Sequence, residues 1–127
     1  MADILFSSSY DDKFPSQNIL SSNNKEFWSS TGLYPQEILI QLYNTSSMSS
    51  LNISSYAVKK IVIETCENDS AITFVKQAEM MDIPFKDNKL QEFFLNFKSP
   101  TSKVKIIKII IEEGYGDFCS VHNVNFK

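Results

Sequence analysis

His122 is the only histidine of the chain, and an imidazole is the usual first candidate for proton transfer at neutral pH. It sits in an alternating run with no acid beside it, and a lone histidine in such a run is more often a satisfied structural residue than a catalyst. Acids occur in pairs at Asp11-Asp12 and Glu112-Glu113. Adjacent residues of extended chain point to opposite sides, so neither pair forms cooperating carboxylates by itself, and both read as solvated turn charges. Cys66 and Cys119 lie in apolar runs without metal-ligand spacing, as buried free thiols of a reducing compartment would. A glycine-rich phosphate loop, a nucleophile elbow and a cysteine-histidine dyad are all missing. These residues point away from an enzyme.

Charge and composition narrow the partners. The net charge is -3, and Lys103, Lys105 and Lys108 are spaced through apolar residues as on a solvated strand face, which is a poor footprint for nucleic acid. No run approaches a membrane span, and the opening "MADILFSSSYDDKF" lacks the basic start and apolar centre of a signal peptide, so the expected setting is intracellular. In that setting Asn44-Thr45-Ser46, Asn52-Ile53-Ser54 and Asn68-Asp69-Ser70 match the glycosylation pattern without consequence.

The elements that must position these residues are strands. Period-two alternation dominates: Ile38, Ile40 and Leu42 share one face, Ile61 and Ile63 another, and Gln91, Phe93, Leu95 and Phe97 a third. Val104 and Ile106 begin in phase, but the pattern shifts at Ile107, Ile109 and Ile111, which predicts a bulge or a strand buried on both faces. In the last run His122 falls in phase with Val124 and Phe126. Strands are expected near 2-7, 37-43, 50-56, 58-66, 71-77, 89-97, 103-112 and 119-126, with "NTSSMSS" as a separator and the serine-rich "YNTSSMSSLNISSY" read as a polar hairpin. The eight make an all-β sandwich, one domain over residues 1-127. Met80-Met81 fits a helical turn or a strand end equally. Trp28, beside Phe27, reads as a core plug in preference to an exposed anchor.

Three stretches, "FPSQNILSSNNKEFWSSTGLYPQEILIQL", "ISSYAVKKIVIE" and "GDFCSVHNV", carry a family pattern. Its members show Pro-x-x-Asn-Ile-(Ile/Leu), Phe-Trp followed by Thr-Gly, an aromatic before Pro-Gln-Glu, Ser-Tyr in the next strand, and Asp-x-Phe-x-Ser-Val-His. Here these are Pro15, Asn18, Ile19, Leu20, Phe27, Trp28, Thr31, Gly32, Tyr34, Pro35, Gln36, Glu37, Ser55, Tyr56, Asp117, Phe118, Ser120, Val121 and His122. The chain thus resembles the intraflagellar transport protein 25 family, also named small heat-shock protein beta-11. The resemblance implies a galactose-binding-domain-like jelly roll of about eight antiparallel strands and a non-enzymatic role in cilia or flagella. It implies membership of the intraflagellar transport B complex and a heterodimer with a Rab-like small GTPase, intraflagellar transport protein 27, without nucleic acid or membrane insertion.

Nothing here resembles the crystallin-type sandwich, so no chaperone mechanism follows from the second name. A carbohydrate- or protein-binding module of the same fold outside cilia is the alternative; a DNA-repair scaffold and an enzyme with an unrecognised site carry less weight. The resemblance also implies a calcium loop before Phe-Trp, which reads Asp-Gly-Asn-Pro-x-Thr in relatives. Here the corresponding residues are Ser21 to Glu26, with Asn18, Ser21, Asn23 and Glu26 as the degenerate ligand set. Serine replaces the carboxylate and a carboxylate replaces the threonine, while Lys25 adds opposing charge. The expectation is lost calcium affinity, no required cofactor, and a loop held by Ser and Asn hydrogen bonds.

Overall fold

The structure, a computed structural model, describes residues 2–21, 25–69 and 73–126, and the backbone alone of 99–102. The order is β1 (Ala2–Ser7), a 3-10 turn (Ser16–Leu20), β2 (Trp28–Ser29), β3 (Gln36–Tyr56), β4 (Val58–Cys66), β5 (Val75–Met81), β6 (Gln91–Gly114) and β7 (Ser120–Phe126). All pairings are antiparallel. The first half of β3 lies between β1 and the second half of β6, which continues to β4 and β5. The second half of β3 lies between β7 and the first half of β6, and β2 extends β7. These two layers are the sandwich. Its core is built from Ile38, Ile40, Leu51, Ile53, Leu95, Ile107, Ile109 and Val121, all buried.

Two of the expected boundaries disappear. Stretches 37-43 and 50-56 are one strand, and 89-97 and 103-112 are another; each passes from one layer to the other through a corner. Successive register shifts mark that corner, between Gln41 and Ser50 on β3. The segment "NTSSMSS" is therefore a bent strand, where a hairpin was expected. Its hydroxyl side chains suit an exposed bulged strand, it contains neither glycine nor proline, and Met48 and Leu51 pin it by entering the core.

Of the expected strand 71-77, residues 71 and 72 lie outside the described residues, and β5 runs Val75–Met81. Phe74 is drawn over the outer face of the sheet, where the Lys108 ammonium lies 4.1 Å from its ring centroid. Nearby, Asp69 receives the Gln41 amide at 3.2 Å and lies 3.8 Å from the Lys105 ammonium. On this face Val62, Cys66 and Ile106 are buried although they stand apart from the main core, so the strand 103-112 is covered on both sides as its isoleucine pattern predicted. Met80-Met81 ends β5, and Asp82 follows with φ 54. Among the described residues no helix is long and apolar enough to cross a membrane.

Candidate functional site

The Trp28 segment is anchored by a serine. The Ser9 hydroxyl donates to Gln36 Oε1 and accepts the Thr31 N–H at 2.9 Å, while the Ser9 carbonyl accepts the Trp28 indole N–H at 3.2 Å. Gln36 Nε2 turns to the Leu33 carbonyl at 2.6 Å. Ser30 adds a two-way link to the residue before β7: its N–H donates to the Cys119 carbonyl, and its hydroxyl accepts the Cys119 N–H, both at 2.9 Å. Trp28 is fully buried with its one polar atom satisfied, which is the core-plug arrangement. Thr31 and Gly32 form the turn beside it, and β3 starts at Gln36 after a cis Tyr34-Pro35 bond.

Tyr34 closes this end. Its hydroxyl donates to the Gly116 carbonyl at 3.1 Å, and its ring passes so close to Gly114 that a Cβ there would lie 2.0 Å from the hydroxyl oxygen. Only glycine admits that approach. Burial first, then Cys119 and Asp117, push the Tyr34 hydroxyl well above its ordinary value. Burial likewise raises the Cys119 thiol, against the hydrogen bonds of Ser30 and Tyr34 that lower it. Cys66 and Cys119 are both buried and free, one at the far end of β4 and the other before β7.

Of the expected calcium residues, Asn18, Ser21 and Glu26 are tied into hydrogen bonds. The 3-10 turn is closed by Asn18 N–H to the Pro15 carbonyl at 3.1 Å and Ser21 N–H to the Asn18 carbonyl at 3.0 Å. Asn18 Nδ2 donates to the Phe27 carbonyl and Ser21 Oγ to Glu26 Oε1, each at 3.0 Å, and Asn123 Nδ2 donates to the Ser21 carbonyl. Asn23 lies outside the described residues. The Asn18 and Ser21 carbonyls thus already accept protein N–H groups, and Glu26 brings a single carboxylate that already accepts a hydroxyl. Calcium takes six to eight oxygens, several of them charged. This donor set fits the ion poorly, and among the described residues no group of three His, Cys, Asp or Glu could hold a metal.

His122 is held in an aromatic column: its ring stacks on Phe27 at 4.7 Å, and Phe27 stacks on Phe14 at 4.6 Å. Ser120 Oγ lies 3.0 Å from His122 Nε2. The phase expected from sequence fails here, because the β3–β7 register shifts between Ser54 and Ser55, and Val121 and Val124, three residues apart, both enter the core. The extra residue re-aims the strand in the manner of a bulge.

Sequence reasoning missed Ser9 and Gln91. Gln91 Oε1 accepts the Ser55 hydroxyl at 2.9 Å and the Val58 N–H at 3.0 Å, while its Nε2 donates to the Val58 carbonyl at 2.8 Å and the Pro84 carbonyl at 3.2 Å. A signal existed for Gln91, since it stands in phase with Phe93, Leu95 and Phe97. None existed for Ser9 within "SSSY". An open cavity of about 660 Å³ lies at the opposite end of the sandwich, lined by Leu20, Leu42, Tyr43, Met48, Val124 and Phe126 among others.

No family model matches the chain. It is 28% identical to intraflagellar transport protein 25 of Chlamydomonas reinhardtii over 96% of its own length and 62% of that protein's. It is 27% identical to the Mus musculus homologue and 29% identical to the Homo sapiens homologue, over 97% and 98% of this chain and 84% of each relative. The chain therefore spans less than two thirds of the algal relative. Among solved structures it matches a family 32 carbohydrate-binding module of C. perfringens in complex with galactose, with TM-score 0.80, 20% identity and coverage of 99% and 91%. A chitosan-binding module from Paenibacillus sp. IK-5 in complex with chitotriose gives TM-score 0.80, 17% identity and coverage of 99% and 94%. The galactose-binding-like jelly roll is thereby shown, and the resemblance read in the three motif stretches is met by relatives spanning nearly the whole chain.

Proposed function

We propose that this chain, a homologue of intraflagellar transport protein 25 along nearly its whole length, is a non-enzymatic subunit of the intraflagellar transport B complex in the cilium and cytoplasm. In that role it forms a heterodimer with a Rab-like small GTPase, intraflagellar transport protein 27. What supports the reading above all is where the motif residues sit. Trp28 is a core plug, Gln36 and Thr31 are ligands of the Ser9 hydroxyl, Ser55 is a ligand of Gln91, and His122 is part of an aromatic column. A pattern made of packing and hydrogen-bonding residues maintains a scaffold, and a scaffold acts through its surface.

Purification of the tagged chain from ciliated cells should bring down a Rab-like small GTPase in near-equal amount, with other subunits of the same complex. The recombinant pair should then co-elute from a sizing column at micromolar concentration. Separate elution removes the heterodimer from the proposal. Binding of galactose or chitotriose on a glycan array, with no GTPase recovered, would favour the carbohydrate-module alternative.

A further inference from the structure

We propose that the end of the sandwich formed by loops 8–15, 30–35 and 115–119 is a docking surface for a protein segment that presents apolar side chains flanked by lysine or arginine. Leu33 is 89% exposed, Tyr10 68% and Phe118 59%. Single exposed apolar residues are ordinary, but these three project from loops that hydrogen bonds tie to one another. Ser9, next to Tyr10, bonds Thr31 and Gln36, and Gln36 bonds the Leu33 carbonyl. Tyr34, next to Leu33, bonds Gly116, and Cys119, next to Phe118, bonds Ser30 in both directions. The apolar groups are thus held on a pre-organised frame, which lowers the ordering cost of binding.

The chemistry of the occupant follows from what the frame leaves available. The hydroxyl and amide groups of Ser9, Gln36, Ser30 and Tyr34 are engaged inside the frame, so the surface offers few of the convergent polar groups that orient a sugar. Carboxylates remain. These three loops carry Asp11, Asp12 and Asp117 against the single ammonium of Lys13. Asp12 and Asp11 lie close enough to the Tyr10 hydroxyl to raise its pKa, the hydrogen bond to Asp12 contributing most. Loops that carry exposed apolar side chains and an excess of carboxylates complement an apolar segment flanked by positive charge, and disfavour an acidic one. The inference concerns this end of the molecule only, and does not require the GTPase to be the occupant.

The test is a titration of the isotope-labelled full chain, read by amide NMR shifts. The probes are three short synthetic peptides of one design, leucine-rich with lysines, leucine-rich with glutamates, and serine-rich with lysines, together with galactose. Saturable shifts confined to the three loops are expected with the leucine-lysine peptide only, weakening as salt is raised. Leu33→Ser with Phe118→Ser should weaken that binding roughly tenfold or more, and Asp12→Asn with Asp117→Asn should weaken it and flatten its salt dependence. All four side chains lie in surface loops, and spectra unchanged elsewhere would verify the fold of each variant. Absence of saturable binding, equal binding of the glutamate peptide, binding undiminished in the Leu33/Phe118 variant, or galactose shifting the same loops would each overturn the proposal.

Discussion

Trp28 and Cys119 show how single side chains at one end of the sandwich govern stability. Trp28 fills the core completely and its indole N–H is bonded to Ser9, so Trp28→Ala should cost about 3–5 kcal/mol and lower the melting temperature before it affects any partner. An unchanged melt would place the indole outside the core. Cys119 supplies a pH dependence. Its folded-state pKa is raised above the ordinary 9.0, chiefly by burial, so the neutral thiol is the form that the fold favours. The associated stability is fully present below the unfolded pKa and is lost as pH rises from about 9 toward the folded value. Thermal melts should hold steady from neutral pH to about 8 and fall above 9, and Cys119→Ala should make that alkaline fall shallower, whatever it does to the baseline. Equal slopes in the two proteins would show that other groups carry the dependence.

At the scale of elements, the junctions between strands are held by side chains that replace missing ladder bonds. The β3–β4 turn passes through Ala57 at φ 64, and Gln91, reaching across from β6, bonds both backbone groups of Val58 and the Ser55 hydroxyl. Gln91→Leu conserves the volume but orphans these groups, at about 1–3 kcal/mol for each one left unpaired. Denaturant unfolding should show a lower midpoint with unchanged slope; a midpoint equal to wild type would mean that water replaces the amide. The loop before Trp28 makes the complementary case, because Ser21–Glu26 and Asn18–Phe27 hydrogen bonds join its two sides. Melts with millimolar calcium and with chelator should therefore coincide. An ion present at a hundred times its dissociation constant would add about 2.7 kcal/mol, a rise of several degrees for a domain of this size. Such a rise, abolished by Glu26→Gln, would show that the displaced carboxylate still serves as a ligand.

For the whole molecule, the proposed heterodimer requires a surface of the obligate kind, upward of roughly 2,000 Å² buried in total with an apolar centre. Co-expression with the GTPase should raise both soluble yield and melting temperature, and the melting temperature of the pair should increase with concentration, as mass action demands of linked folding and association. A melt indifferent to the GTPase would leave the chain a self-sufficient module. The likeness to sugar-binding modules extends to the path of the chain at 17–20% identity, which is a statement about the jelly roll and leaves the occupant of its surface to local chemistry.

The sequence by itself determined the strand content, the inward faces of Ile38/Ile40/Leu42 and Phe93/Leu95/Phe97, the burial of both faces around Ile106 and Ile107, and the family resemblance. Alternation is a local property of extended chain, and an apolar face must be covered whatever covers it. Tertiary structure decided what alternation cannot encode. Whether "NTSSMSS" reverses direction or bends between layers depends on the partner strand β6, whose pairing with β3 shifts register there. Ser9 became a hub only when the chain returned with Thr31, 22 residues on, and Gln36, 27 residues on. The bond between Ser30 and Cys119 closes across 89 residues, bringing Phe118 to the same end of the sandwich as Leu33 and Tyr10. A hydrogen bond needs two groups within about 3 Å of one another, and for residues so distant in sequence only the completed sandwich sets that separation.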